Sequence, residues 1–270
     1  MTSKAAAAAS SEMFRQSWSL YQKLVASNGM SHVEAYRSLH CALKRHMDYR
    51  PFHFVDLACG CATHSSQALQ NTKVERYTGI DMSETALSFA RQSIQPLNVQ
   101  KELLVGDFCD YKNILEKSTQ NQTGTKTRNN NNNNNNNNDK PLDVVWVGLS
   151  LHHLETPAKA SFMQMIANHV SPSDGMLLIY EPICLPGQTR EDYYERFQTV
   201  SQQLWSELLD ATEIHLLFEH VTQQDIPESN ETWLALGKEA GFSHGELIFS
   251  DPFGLYSAFC FRMVATEKNS

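Results

Sequence analysis

Two apolar runs, each closing on an aspartate, stand a set distance apart in this chain. Phe54-Val55-Asp56-Leu57 runs into the small-residue turn Ala58-Cys59-Gly60-Cys61-Ala62, and Tyr77-Thr78-Gly79-Ile80-Asp81 ends twenty-one residues after Gly60. A buried strand is rigid, and a turn of Gly, Ala and Cys lets a ligand approach the backbone closely. In a doubly wound sheet, an acid about 20 residues beyond such a turn reaches the hydroxyls of a ribose. The pair therefore predicts a nucleoside-containing cofactor and an α/β fold.

The remaining composition narrows the class. A chain of 270 residues can bury a full core as one domain with appendages. Its 22 basic and 30 acidic residues leave a net charge of −8, which disfavours a nucleic-acid partner because that affinity comes from clustered Lys and Arg. Cys41, Cys59, Cys61, Cys109, Cys184 and Cys260 form no C-x-x-C pair, so neither a disulfide framework nor a metal site is indicated. Buried free thiols in a reducing compartment are expected. The alanine run after Lys4 is too short for a signal peptide, and no run reaches the ~20 apolar residues of a membrane span. The expectation is a soluble cytoplasmic protein without membrane contact.

Along the chain, residues 1–10 are expected to be a disordered tail and 11–50 a helical cap. Phe14, Trp18, Tyr21 and Val25 recur at helical spacing, and a second helix begins at the capping-box pattern Ser31/Glu34. Residues 51–270 form the main domain. Ser83 caps a helix after Asp81, and Glu102 to Val105 reads as a third strand. Residues 118–140, with ten consecutive asparagines from Asn129 to Asn138, lack apolar side chains and read as a disordered insertion. Thr156-Pro157 reads as a helix cap and first-turn proline. Residues 182–228 read as a helical substrate lid: an aromatic-rich helix with Tyr193, Tyr194, Phe197, Leu204 and Trp205, followed by a polar loop. Glu246–Phe249 and Leu255–Met263 are too closely joined for a parallel crossover and must form an antiparallel hairpin.

Four blocks in order resemble a class I S-adenosylmethionine-dependent methyltransferase of the small-molecule type. They are Asp56-Leu57-Ala58-Cys59-Gly60, Gly79-Ile80-Asp81-Met82-Ser83, Val105-Gly106-Asp107-Phe108, and the run from Leu142 to Leu154 that ends Gly148-Leu149-Ser150-Leu151-His152-His153-Leu154. The family's Gly-x-Gly-x-Gly stands here as Ala58-x-Gly60-x-Ala62. The resemblance implies a Rossmann-like, seven-stranded, mostly parallel sheet with an antiparallel C-terminal hairpin and an N-terminal helical cap. It implies S-adenosyl-L-methionine as cofactor, held by Asp56, Ala58, Gly60, Asp81, Met82, Asp107, Phe108 and Leu149.

Methyl transfer from a sulfonium is an in-line displacement, for which positioning supplies much of the rate and a base is optional. His153, His152 and Glu181 follow the fourth and fifth strands and are the catalytic candidates, a histidine being suited to proton removal near neutrality. Tyr21, His32, Tyr194 and Trp205 are the candidates for acceptor contact. No Asn-Pro-Pro-Tyr-like segment and no Pro-Cys follow the fourth strand, which leaves O- or N-methylation of a small molecule. Two other readings compete: a catalytically silent S-adenosylmethionine-binding protein of the same fold, and an NAD-dependent oxidoreductase. Neither the acceptor nor the oligomeric state is legible.

Overall fold

A computed structural model describes residues 20–116 and 141–265. The expected tail 1–10, the helix residues Phe14 and Trp18, and the insertion 118–140 lie outside the described residues. Eight strands are assigned: β1 Phe52–Leu57, β2 Val74–Asp81, β3 Gln100–Val105, β4 Val144–Gly148, β5 Met176–Cys184, β6 Glu228–Ser229, β7 His244–Ser250 and β8 Tyr256–Arg262. Seven run in one path, β3-β2-β1-β4-β5-β8-β7, and the two-residue β6 pairs with the end of β5. Every pairing is parallel except those of β8, which is antiparallel to both β5 and β7. This is the expected mostly parallel sheet with its antiparallel hairpin.

The central strands carry near-continuous apolar sequence because helices cover both faces. Alternation along β5 separates the two faces: Met176, Leu178, Tyr180 and Cys184 enter one core, and Leu177, Ile179 and Ile183 the other. The first core is built with α1 (His32–Met47), α2 (Thr63–Leu69), α3 (Glu84–Ser93) and α5 (Arg190–Trp205). The second is built with α4 (Thr156–Ala167) and α7 (Asn230–Glu239). Among the described residues, no helix is long and apolar enough to cross a membrane.

Three local expectations are corrected. Ser31 does not cap α1: it sits at φ 57° and its side chain makes no cap bond. Asn28 does the work instead, accepting from the Val33 amide at 2.8 Å and donating to Glu34 at 2.8 Å. Thr156 does not cap α4; Glu155 holds that position, and the threonine hydroxyl donates to Glu228 at 2.6 Å. The polar stretch after α5 is helical, not a loop. It forms α6 (Ala211–Gln224), started by a capping box of Asp210 and Glu213. Ile214, Leu217, Phe218 and Val221 recur at helical spacing and pack against the first core, although Val221 alone is fully buried.

Candidate active site

The turn after β1 and the acid closing β2 are fastened to each other. Asp81 accepts from the Gly60 amide through Oδ2 and from the Ser83 amide through Oδ1, both at 2.8 Å. Burial raises its pKa, while those two amides oppose the rise. Ala58, Gly60 and Ala62 all adopt φ 53°, so the two alanines follow the left-handed course that glycine usually takes. That costs of order 1 kcal/mol per residue and keeps the backbone open to a ligand. Leu149, just past β4, is held at φ 52° as well. Strain at a bulky residue is characteristic of ligand-binding turns.

Apolar surface lies beside this cradle. Met82 is 71% exposed and Val105 54% exposed. Phe108 is half-buried, edge-on to Phe162 at 5.6 Å. Asp107 caps the short turn Phe108–Asp110 by accepting from the Cys109 amide at 2.8 Å. Asp56 is buried under the loop, where it accepts from the Tyr77 hydroxyl at 2.8 Å and is also bonded by Ser65.

On the α1 face of the sheet the structure brings Tyr21 and His32 together, with the Tyr21 hydroxyl 3.4 Å from His32 Nε2. His32 stacks on His64 at 5.3 Å and on Tyr36 at 6.3 Å, and meets Tyr180 edge-on at 5.9 Å. Trp146 Nε1 donates to the Tyr36 hydroxyl at 3.2 Å beside Gly148, at the carboxyl end of β4. Burial, then the neighbouring His64, lowers His32 to a pKa of about 3; burial also lowers His64. Both are neutral imidazoles at physiological pH. His32 Nδ1 is buried without a partner, and neither nitrogen of His64 completes a well-formed hydrogen bond, Gln67 being a polar neighbour. Buried polar atoms of this kind imply a polar ligand or water between them.

The other predicted residues lie elsewhere. Glu181, expected on the rim, is fully buried and faces the opposite side of the sheet from Tyr180. Its carboxylate accepts from the amides of Ser150, Leu151 and His152 at 3.1, 2.9 and 3.2 Å, and from His152 Nδ1 at 2.7 Å. It holds the Leu151–His153 turn in place. Tyr194 and Trp205 do not meet. The Tyr194 hydroxyl donates to the Asp225 carbonyl at 2.7 Å, whereas Trp205 is buried against Phe197 and donates to the Gly29 carbonyl at 3.1 Å. With Tyr193 and Phe197 also buried, the aromatic residues of α5 mostly anchor the helix to the core. Trp205 additionally lines a cavity of about 420 Å³ with Asn28, Asp251 and Tyr256.

A model of the family described as "Histidine-specific methyltransferase, SAM-dependent" matches residues 39–223, about two thirds of the chain. The chain belongs to this family. No curated protein matches it. Among solved structures, the plantazolicin methyltransferase BpumL in complex with SAH aligns over 90% of this chain and 88% of its own, at TM-score 0.56 and 14% identity. Magnesium protoporphyrin IX methyltransferase from Synechocystis PCC 6803 with bound SAH covers 86% and 84%, at TM-score 0.52 and 14% identity. An O-methyltransferase family 2 protein from Planctomyces limnophilus in complex with apigenin covers 93% of this chain but 62% of its own, at TM-score 0.54 and 14% identity. At such identities the likeness is one of fold.

S-adenosylmethionine is thus the cofactor of this methyltransferase, and the residues present fit it. The cradle is lined by small side chains, Met82 and Val105 offer exposed apolar surface, and each oxygen of the Asp81 carboxylate keeps lone-pair capacity beyond the amide it already accepts. Sequence reading did not single out Tyr36 and His64, which the structure places against His32, or Asp225, whose carboxylate lies beside His152 and His153. His64 stood four residues past Gly60 and was discoverable from that position; Asp225 joins its partners only through the tertiary fold.

Asp56 gives the methyltransferase a pH signature. Burial first, then the nearby Asp81 charge, pushes its carboxyl up to about 7 against hydrogen bonds from Ser65 and Tyr77. Its native pKa therefore lies above the unfolded value, so the native state holds the proton more tightly. The contribution to stability is complete below pH ~4 and is lost as pH rises towards 7, with a magnitude on the order of 4 kcal/mol. In urea titrations from pH 5 to 8, the parent should lose stability relative to Asp56→Asn. Parallel pH profiles for the two proteins would refute the shifted carboxyl.

Proposed function

We propose that the enzyme methylates a nitrogen or oxygen of a small polar molecule held between the S-adenosylmethionine cradle and the cluster of Tyr21, His32, Tyr36 and His64. The bound cofactor supplies an electrophilic methyl group on a sulfonium. Asp81 orients the ribose, Met82 and Phe108 flank the adenine with Asp107 at its edge, and Asp56 steadies the loop from beneath. Tyr21 covers the cradle: Cys61, Asp81 and Asp56 are close enough to raise its hydroxyl pKa, after burial.

The observation that carries this reading is that His32 Nδ1 and both nitrogens of His64, on the helix that covers the cradle and the one that follows it, are buried without a well-formed hydrogen bond. They would orient the acceptor by hydrogen bonds, and the neutral rings would take up a proton only transiently. His152 and Glu181 act at a distance by setting the turn after β4. Net charge −8 supports a small molecule over nucleic acid, and six free cysteines support a reducing, cytoplasmic location.

The family's description makes histidine the first acceptor to try. The matched stretch begins at residue 39, however, so Tyr21, His32 and Tyr36 lie outside it and shape their own choice of acceptor. Purified enzyme incubated with S-adenosylmethionine and a panel of amines, imidazoles and phenols should release S-adenosylhomocysteine with a product heavier by one methyl group. For the acceptor found, His32→Phe should lower turnover at least about tenfold, the scale of one lost hydrogen bond, with cofactor affinity nearly unchanged. Equal turnover would remove His32 from the site. Tight cofactor binding with no product from any acceptor would favour the catalytically silent reading.

A further inference from the structure

On the far face of the sheet from His32, two imidazoles converge on a carboxylate oxygen that has no hydrogen-bond partner. Asp225 Oδ1 lies 3.6 Å from His152 Nε2 and 3.6 Å from His153 Nδ1, and the three ligand atoms fall within 4.8 Å of one another. Asp225 is 7% exposed, and Oδ1 makes no hydrogen bond. A buried carboxylate oxygen left without a donor is costly.

The groups around these three residues add to the argument. Glu181 Oε2 lies 2.7 Å from His152 Nδ1, so Nε2 is the ring nitrogen that faces Asp225. A carboxylate behind a histidine is also the usual outer-shell support for a metal ligand, fixing tautomer and ring orientation. Ligands on a tetrahedral ion with bonds of about 2.0–2.1 Å stand roughly 3.3–3.4 Å apart, close to the two separations here. His153 is 41% exposed, which gives an ion a way in, and binding through its Nδ1 replaces the contact of that nitrogen with the Gln224 carbonyl at 3.3 Å. The ring of His220 on α6 lies edge-on to His153 at 5.7 Å.

We propose that His152, His153 and Asp225 bind one divalent transition-metal ion of the zinc class, at a site open to solvent on the His153 side. Two imidazoles and one carboxylate suit zinc, cobalt, nickel or ferrous iron over magnesium or calcium. The ion clamps the end of α6 to the turn after β4. The same junction already carries the bond from the Ile226 amide to the His152 carbonyl at 2.7 Å and the Tyr194 contact to Asp225. It lies apart from the acceptor cluster and does not depend on the acceptor's identity.

Full-length protein stripped by a chelator and titrated with Zn²⁺ in a calorimeter should take up one ion per chain and melt at a higher temperature. Co²⁺ should develop visible absorption bands typical of low-symmetry coordination. Asp225→Asn and His153→Gln should each weaken uptake at least about tenfold, the scale set by losing even an outer-shell partner. If Asp225→Asn does not fold, His153→Gln decides, since that side chain is largely at the surface. No saturable uptake by the parent overturns the proposal, as does uptake unchanged in His153→Gln. A His152 ring doubly protonated by NMR and unmoved by added zinc also overturns it, for an imidazolium would then bridge Glu181 and Asp225.

Discussion

Asp81→Ala will bind S-adenosylmethionine at least about a hundredfold more weakly than the parent. The carboxylate has two tasks. It ties the Gly60 amide to the Ser83 amide at 2.8 Å each, and in the proposed complex it also accepts the ribose hydroxyls. Hydrogen bonds to a charged group contribute about 1.5–3 kcal/mol each, so losing two to the ribose alone amounts to about 3–6 kcal/mol. Each 1.4 kcal/mol is a factor of ten in affinity, and the freed loop amides add to the loss. Calorimetry on a variant shown to be folded is the measurement. Affinity within a few-fold of the parent would take the ribose role away from Asp81.

Lys159→Ala should destabilise the fold by about 3–5 kcal/mol, the range for breaking one side of a buried ion pair. Lys159 is fully buried on α4, donates to Glu228 at 2.8 Å and to the Ile226 carbonyl, and lies over the Trp233 ring at 5.4 Å. Without it the buried Glu228 carboxylate retains, among the described residues, the Thr156 hydroxyl as its one side-chain donor. Paired replacement, Lys159→Met with Glu228→Gln, should recover much of the loss because neither charge is left stranded. Urea denaturation at neutral pH measures both. A loss under 1 kcal/mol in Lys159→Ala would mean the pair contributes little.

Features that depend on short stretches of chain were legible in advance. Asp56 and Asp81 stand near the ends of strands with continuous apolar runs and Gly60 in the turn after the first of them, and the hairpin follows from the few residues between β7 and β8. Features that depend on distant partners were not. Lys159 meets Glu228 across 69 residues, and His152 meets Asp225 only after α5 and α6 have crossed between them. Asn28 outcompeted Ser31 for the start of α1 because the chain turns left-handed at Ser31, where its hydroxyl forms no cap bond. Glu181 looked like a rim residue because it was expected to follow the fifth strand, whereas β5 runs on to Cys184 and buries it. The aromatic residues of α5 suggested a ligand wall, yet most of that surface packs against the protein's own core.

The place of β8 between β5 and β7 has a consequence for biosynthesis. A ribosome delivers residues in order, and every strand through β7 emerges before the one that must slot into the middle of the sheet. Until Tyr256–Arg262 arrive, β5 presents an unpaired apolar edge and Trp233 lacks the Phe259 ring that it packs against at 6.5 Å. Bare edges of that kind invite pairing with other chains. The nascent protein is therefore most exposed to aggregation after β7 has emerged and before β8 has, and premature stops between β7 and β8 should yield insoluble product while a chain that includes β8 does not.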